Sequence, residues 1–257
     1  MERVLDRFLL VFLFVSTVFL AASASAYEID GDVSDWGIDL YQSGADLKGY
    51  LDTNSPTGGL DIDYWTEDNA DRTTGFFQVN PGYSQGNQYD AEAIYFDNDS
   101  TYGYIAIITG TSINEYFGPG DIAIDFGPGG EYGYEYGIDI REKKLYYVND
   151  WENVLYSQHS VSDPFAISNG AFKNDVDLIY SSTAVNEHYV IETSFLLSDL
   201  GLEPGDVLGL HWTMRCGNDE VNVVADVNPV PEPATMFLLG AGLIGLTGLR
   251  KKFKKVK

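Results

Sequence analysis

The 257-residue sequence predicts an all-β protein with a single antiparallel β-sandwich, of the jelly-roll kind, over residues 27–228. Short runs alternate apolar and polar residues with period two, which is typical of half-buried strands. Clusters rich in glycine, proline, asparagine and aspartate separate these runs and indicate turns. No stretch has the apolar spacing of an amphipathic helix longer than about 12 residues, which argues against the helical and α/β classes.

Residues 1–26 have the composition of a secretory signal peptide. Two arginines precede the apolar run 8–20, and the small residues 24–26 stand immediately before Tyr27. Signal peptidase recognises this combination of a basic start, an apolar stretch and a small-residue exit, so we expect cleavage before Tyr27. An uncleaved membrane anchor is the alternative, but the polar sequence that follows favours removal.

Alternating runs predict half-buried strands at 121–126, 133–140, 175–180, 188–195 and 208–216. The run 104–108 is apolar throughout, which predicts a central strand covered on both sides. Residues 195–202 predict one or two helical turns that end at Gly201. The stretch 49–86 is polar and irregular, so we expect an elaborated loop region with isolated strands there.

The charge of the body excludes one class of partner. Residues 27–228 contain 36 acidic and 7 basic side chains, a net charge of −29. Such a domain repels nucleic-acid phosphate and anionic lipid, so we expect no nucleic-acid partner. Its 30 aromatic residues distinguish it from a disordered acidic segment. The single cysteine cannot form an intramolecular disulfide, so core packing or a bound metal must stabilise the fold.

The C-terminal segment 229–257 combines a proline-flanked motif, a hydrophobic helix and a basic end. Sixteen apolar or small residues at 234–249 follow the motif and precede a basic cluster at 250–255. A helix of that length covers about 24 Å, less than the roughly 30 Å hydrocarbon core, so it spans a membrane only marginally. The basic cluster belongs on the cytoplasmic side, which places the acidic body outside.

These three features in this order resemble the PEP-CTERM sorting signal of bacterial exported proteins. The resemblance implies that an exosortase recognises the motif Pro231-Glu232-Pro233 and that the hydrophobic tail is removed, as in glycolipid-anchor signals. An ordinary tail anchor behind a proline-rich linker is the alternative. Both interpretations place residues 27–228 at the cell surface or in the extracellular matrix, with membrane contact through the C-terminal helix at least before processing.

The body resembles the family 9 carbohydrate-binding modules and DOMON-like sandwiches. The resemblance lies in the opening IDGDVSDW at 29–36, then in YDAEAIYFD at 89–97, YIAI at 104–107 and the stretch 189–200. It implies a jelly-roll-like sandwich, a structural calcium as in some members, and glycan or haem binding as in others. Haem is the weaker implication, because few methionine or histidine side chains are present to serve as axial ligands.

Acidic turns supply candidate calcium ligands, foremost Asp30, Asp32, Asp35, Asp97 and Asp99, with further pairs at 61/63 and 121/125. Calcium binds six to eight oxygen atoms, so carboxylates spaced two apart in a turn form a reasonable ligand set. The run that begins at Asp30 is not an EF-hand, because Asp35 stands where that loop requires glycine. The alternative is that so acidic a domain places carboxylates in every turn by composition alone.

Three tryptophans are candidate platforms for a sugar ring, namely Trp65, Trp36 and Trp151. Each lies in a segment rich in aspartate, asparagine or glutamate, and sugars stack on aromatic faces while polar groups bind their hydroxyls. Trp65 is the preferred platform because its surroundings are the least regular. Trp212 alternates with apolar neighbours and is expected in the core, where any tryptophan of a sandwich can also pack.

No constellation predicts catalysis. The segment 82–86 matches G-x-S-x-G, but it lacks the preceding strand and following helix of a nucleophile elbow. The three histidines are isolated, without zinc-site spacing, and His188 and His211 fall on the polar phase of their strands, which predicts surface positions. We therefore expect a noncatalytic exported protein that binds glycan such as exopolysaccharide, with calcium as a candidate cofactor. The alternatives are a structural matrix component without a small ligand and, less favoured, an extracellular hydrolase.

Overall fold

The described part of the chain contains eleven strands, which loops and short helical segments connect. The computed structural model describes residues 27–42, 50–51, 53–58, 61–66, 89–126, 133–183 and 188–229, all within one compact unit, Ala26–Pro229. The predicted signal peptide at 1–26, the G-x-S-x-G segment and the sorting motif Pro231, Glu232 and Pro233 lie outside the described residues.

The strands are β1 (Asp63–Thr66), β2 (Ala91–Asn98), β3 (Tyr102–Thr109), β4 (Ile122–Asp125), β5 (Tyr136–Asp139), β6 (Lys144–Glu152), β7 (Ala166–Asp175), β8 (Asp177–Ser182), β9 (Tyr189–Leu196), β10 (Val207–Thr213) and β11 (Glu220–Asp226). The helical segments include two 3₁₀ turns, Leu40–Gln42 and Ser157–Ser162, and the short α-helix α1, Leu197–Leu200.

The strands form two antiparallel sheets. One has five strands in the order β1-β2-β3-β9-β8, and the other has six in the order β11-β10-β4-β5-β6-β7. With so little helix, this arrangement confirms the predicted all-β antiparallel sandwich. The five runs predicted from alternation all contain strands, although the strand bounds differ by a few residues.

The main core lies between the two sheets. Alternate residues of β10 point into it, and Trp212 is fully buried there with Leu208 and Leu210. The indole nitrogen of Trp212 donates a hydrogen bond to the carbonyl oxygen of Gly120 at 3.1 Å, so its one polar group is satisfied. The prediction that Trp212 belongs to the core is confirmed.

A second core covers the opposite face of the five-stranded sheet. The N-terminal layer, which we define as residues 27–42 and 50–51, packs Val33, Trp36 and other apolar side chains against Tyr95 of β2 and Tyr104 of β3. β3 therefore has buried residues on both of its faces, as the apolar run 104–108 predicts. The sandwich thus gains a third, irregular layer on one side.

Two local predictions can be compared with the fold directly. Gly201 ends α1 in the left-handed conformation (φ 76°), and its N–H faces the carbonyl oxygens of Leu197 and Ser198. This is the predicted helix end. Trp65 lies in the stretch where the sequence predicts a loop region with isolated strands, and it belongs to one such strand, β1, where it pairs in register with Ile94 of β2.

Candidate functional site

The candidate site is a pocket on the outer face of the six-stranded sheet. On β10 and β11 the apolar residues point into the main core, so the alternate residues point outward. The pocket has a volume of about 830 Å³. We call it the sheet pocket, and its lining includes Tyr64, Trp65, Tyr134, Trp151, Val161, Asp163, Pro164, His211, Glu220, Asn222 and Val224.

Small residues on the outer face make room for the aromatic wall of the pocket. One row across the sheet pairs His211 with Ala123 and Ala123 with Gly137. Trp151 lies over Gly137, where an added Cβ atom would come within 2.6 Å of the indole ring. Its indole nitrogen donates to the carbonyl oxygen of Tyr134 at 2.9 Å. A side chain at position 137 would therefore displace the tryptophan.

Trp151 reaches this position because β6 is irregular. The pairing of β6 with β7 shifts register between Val148 and Asp150 and again between Asp150 and Trp151. Bulges of this kind bend a strand and redirect its side chains. The Tyr134 ring meets the Trp151 ring edge to face at a centroid distance of 6.4 Å, so the two aromatic residues form one continuous wall.

His211 is a fixed polar element of the pocket. Its Nε2 atom lies 3.0 Å from the carbonyl oxygen of Pro164, which can only accept, so Nε2 donates. Its Nδ1 atom is 2.7 Å from Oδ1 of Asn222 and 3.8 Å from Oε2 of Glu220. These contacts hold the imidazole ring between β11 and the segment that precedes β7, with Tyr134 alongside at 5.5 Å.

Trp65 joins the site from the other sheet. It is 40% exposed on the edge strand β1. The N–H of Asp226, at the end of β11, donates to the Asp63 carboxylate at 2.8 Å and ties β1 to β11. This contact between two edge strands brings Trp65 to the same pocket as Trp151. Two of the three predicted sugar platforms therefore meet at one site.

Two carboxylates complete the pocket. Glu220 is close to His211, and Oδ1 of Asp163 accepts the N–H of Val154 at 2.7 Å. Aromatic faces beside oxygen acceptors can hold a sugar ring, because the ring faces cover its C–H groups and the oxygens bind its hydroxyls.

The prediction that Trp36 is a sugar platform is wrong. Trp36 is 0% exposed, and its ring stacks on Tyr27 at a centroid distance of 4.0 Å within the second core. Its indole nitrogen donates to Oε1 of Glu192 at 3.0 Å. No ring face is left for a ligand, so Trp36 is a residue of the core.

Two buried carboxylates bind main-chain groups rather than solvent. Oε2 of Glu192 accepts the N–H groups of Asp30 (3.2 Å) and Gly31 (2.6 Å) and so fastens the N-terminal layer to β9. Asp121 accepts the N–H groups of Ile140 (3.2 Å) and Ile167 (2.8 Å). Burial raises the pKa of each carboxyl to about 7, because desolvation disfavours the charged form.

The predicted calcium ligands of the N-terminal layer are used to shape its turn. The carboxylate of Asp30 accepts the N–H of Asp32 at 2.8 Å, and that of Asp32 accepts the N–H of Ser34 at 3.0 Å. The Asp35 carboxylate accepts the N–H of Glu28 at 2.8 Å. The contacts of Asp30 and Asp32 are the local contacts typical of aspartate in turns, whereas Asp35 binds a main-chain group seven residues earlier in the chain.

Asp97 and Asp99 also have partners. Asp97 accepts the hydroxyl of Tyr27 at 2.6 Å, and Asp99 accepts that of Tyr104 at 2.7 Å. Within the described ranges, no group of three or more His, Cys, Asp or Glu side chains is arranged to hold a metal ion. Calcium binding stays a prediction.

The predicted surface positions of His188 and His211 are wrong. Both are 1% exposed. His188 pairs with buried Glu92, Nε2 to Oε1, at 2.7 Å. The period-two pattern placed these residues on the polar phase correctly, but it does not reveal that further chain covers that face.

Six polar or aromatic members of the pocket were not predicted from the sequence: Tyr64, Tyr134, Asp163, His211, Glu220 and Asn222. A signal for two of them was present. Val221, Val223 and Ala225 alternate with Glu220, Asn222 and Val224 along β11, which indicates an outward polar row. His211 and Tyr134 gave no such signal, because their role depends on contacts with distant segments.

Fold and site together define a class: a β-sandwich with an open aromatic and acidic pocket on one sheet face. A comparison with protein families then places the C-terminus. Residues 229–252 match the PEP-CTERM protein-sorting motif, which confirms the predicted sorting signal and indicates an exported cell-surface protein that an exosortase processes. No curated protein and no solved structure matched the chain, so the resemblance of the body to carbohydrate-binding modules and DOMON-like sandwiches has no support from these comparisons. In the described part of the chain, no helix has the length and apolar character needed to cross a membrane.

Proposed function

We propose that this exported protein is a noncatalytic surface or matrix component whose sheet pocket binds glycan, such as extracellular polysaccharide. The observation that carries the proposal is the convergence of Trp65 and Trp151, from different sheets, on one pocket. Tryptophan side chains that line one cleft and are partly accessible are suited to stacking on sugar rings.

The size and lining of the pocket support this function. Its volume of about 830 Å³ lies within the range of about 300–1,000 Å³ typical of ligand sites, and it leaves room for a short oligosaccharide. Asn222 and Glu220 offer polar atoms next to the aromatic wall, and His211 contacts both of these side chains from beneath the pocket surface. Such groups orient a ligand through hydrogen bonds to its hydroxyls.

Binding is favoured over hydrolysis by the surroundings of the two carboxylates. A glycosidase general acid is set in apolar surroundings that keep its proton at neutral pH. Glu220 instead lies beside the polar side chain of His211, and Asp163 accepts a main-chain N–H. An extracellular hydrolase is therefore the less favoured alternative, and product analysis of any bound oligosaccharide tests it.

The direct experiment is a glycan array followed by calorimetric titration of the best ligand. We expect Trp65→Ala and Trp151→Ala each to weaken binding at least tenfold. Phe172→Ala is the matched control, because Phe172 is 54% exposed on β7 and does not line the pocket. If the wild type bound no glycan, the proposal would fail and a structural matrix role without a small ligand would be preferred. Wild-type affinity in both tryptophan variants would also overturn it.

A further inference from the structure

Apart from the His211 imidazole, which lies 3.8 Å from Oε2 of Glu220, the charged side chains in the described lining of the sheet pocket are acidic. This described lining contains the carboxylates of Asp163 and Glu220 but no lysine or arginine. Basic side chains lie elsewhere: Arg141 and Arg215 line a separate cleft of about 370 Å³. The pocket therefore presents aromatic faces and negative charge to a ligand.

We propose that the sheet pocket selects glycans that carry protonated amines, that is, amino sugars without N-acetyl groups, over neutral and acidic glycans. This inference rests on the proposed glycan-binding function and names the ligand class of the same site. The juxtaposition that carries it is Trp65, Trp151 and Tyr134 around Glu220 and Asp163.

Local chemistry favours an ammonium group in this pocket. A cation over an aromatic face is attracted by the negative face of the ring, most strongly with tryptophan. The oxygens of Glu220 and Asp163 can accept its N–H donors in charge-assisted hydrogen bonds. Oδ1 of Asp163 already accepts the N–H of Val154, whereas its second oxygen has no hydrogen bond within the described chain. That oxygen is therefore available to a ligand.

The field of the whole domain acts in the same direction. With a net charge of −29 over residues 27–228, the body attracts a polycationic glycan and repels chains of uronic acids or phosphates. This long-range effect is screened beyond about 10 Å at 0.1 M salt, whereas contacts inside the pocket are screened much less. Salt dependence therefore separates general attraction from recognition in the pocket.

The test titrates the released form of the protein with three β-1,4-linked hexasaccharides at 0.15 M salt. These are oligomers of glucosamine, of N-acetylglucosamine and of glucuronate. We expect the glucosamine oligomer to bind at least tenfold more tightly than its N-acetylated counterpart, and the glucuronate oligomer to bind most weakly. Glu220→Gln should reduce the preference for the glucosamine oligomer at least threefold and leave the affinity for the N-acetylated oligomer nearly unchanged.

Glu203→Gln is the matched control, because it removes the same charge from an exposed residue outside the pocket. It should preserve the preference. Equal loss of preference in the Glu203 and Glu220 variants would show general attraction to the acidic body and overturn the inference. Equal or tighter binding of the N-acetylated oligomer would also overturn it while glycan binding stands. If the protein bound none of the three oligomers and no glycan on the array, the glycan-binding function itself would be rejected.

Discussion

The outer faces of the two sheets differ in how far other parts of the chain cover them. On the five-stranded sheet the N-terminal layer covers the outer face and forms a second core around Trp36, Tyr95 and Tyr104. On the six-stranded sheet small residues such as Ala123 and Gly137 alternate with core residues, and the outer face carries an open pocket. Both sheets have strands with period-two alternation, yet among the described residues the outer face of the five-stranded sheet is covered, whereas that of the six-stranded sheet carries a pocket.

The same residue type therefore has opposite roles on the two faces. Trp36 and Trp65 both occur in acidic, polar segments of the sequence. A carboxylate from β9, Glu192, accepts the indole N–H of Trp36 under the N-terminal layer, whereas Trp65 stands partly exposed at the edge of β1. Coverage by distant chain, rather than local composition, decides which tryptophan stabilises the fold and which is available to bind.

Replacement of Trp36 and of Trp65 by alanine should lower the free energy of unfolding by very different amounts. Trp36→Ala should lower the free energy of unfolding by about 3–5 kcal/mol, because it removes a large aromatic group from a core and leaves a cavity. Trp65→Ala should lower it by less than about 1.5 kcal/mol, because its side chain is partly exposed. Denaturant unfolding of both variants measures the difference.

Trp212→Ala provides the internal reference, since Trp212 lies in the main core between the sheets and should cost about as much as Trp36→Ala. Wild-type stability in the Trp36 variant would mean that the N-terminal layer does not contribute to the folded core. The contrast between the two faces would then be lost.

The pH dependence of stability tests whether Glu192 is desolvated beneath the N-terminal layer. The pKa of the Glu192 carboxyl is raised from 4.5 to about 7. The folded state therefore binds more protons than the unfolded state between these pH values, so stability falls as pH rises through this window. Relative to Glu192→Gln, the wild type should gain up to roughly 3 kcal/mol of unfolding free energy when pH falls from 7.5 to 4.5.

The comparison with the glutamine variant is needed because many other acidic groups of this body titrate in the same range. The difference between the two proteins cancels those shared contributions. Asp121→Asn is a parallel variant on the six-stranded sheet, because the pKa of Asp121 is also raised to about 7. If wild type and Glu192→Gln had parallel pH profiles, the desolvation of Glu192 would be refuted as a contribution to stability.

The sequence predicted the sheets better than it predicted the site. β9 and β10 followed from alternation because each strand has one apolar row that faces the main core. β6 and β7 were missed, since register shifts interrupt the period of β6 and β7 is an edge strand with a mostly exposed surface. Such irregular strands carry little periodic signal.

For the site, composition found Trp65 and Trp151 but could not separate them from Trp36. The partner that buries Trp36, Glu192, is 156 residues away in the sequence. Likewise, the pairing of His211 with Pro164 joins residues that lie 47 positions apart. Contacts over such distances depend on the folded topology, so local patterns cannot predict them.

Ligand binding at the outer face of the six-stranded sheet should depend on the position of Trp151. Gly137→Ala should weaken glycan binding about tenfold, because the added methyl group would displace Trp151 from its place over the sheet. Phe172→Ala is the control outside the pocket, because Phe172 is exposed on β7 and does not line the pocket. Calorimetric affinities and melting temperatures of the two variants should be compared. Wild-type affinity in Gly137→Ala would show that the position of Trp151 does not matter for binding.

The smallest expected effect concerns calcium at the turn that opens the N-terminal layer. The carboxylates of Asp30, Asp32 and Asp35 each accept a main-chain N–H, so this turn is stabilised from within the chain. Calcium needs six to eight oxygen ligands and would have to compete with these hydrogen bonds. At fixed ionic strength, which keeps general screening constant, we therefore expect calcium and magnesium to change the melting temperature by the same small amount. Joint replacement of the three aspartates by asparagine keeps an oxygen acceptor at each position, so the turn should persist and the two ions should still act alike. A shift that saturates with calcium, is absent with magnesium and disappears in the asparagine variant would contradict this expectation. Such a result would establish the calcium site that the sequence predicts. Screening by free ions would act alike for calcium and magnesium, and alike for the wild type and the asparagine variant.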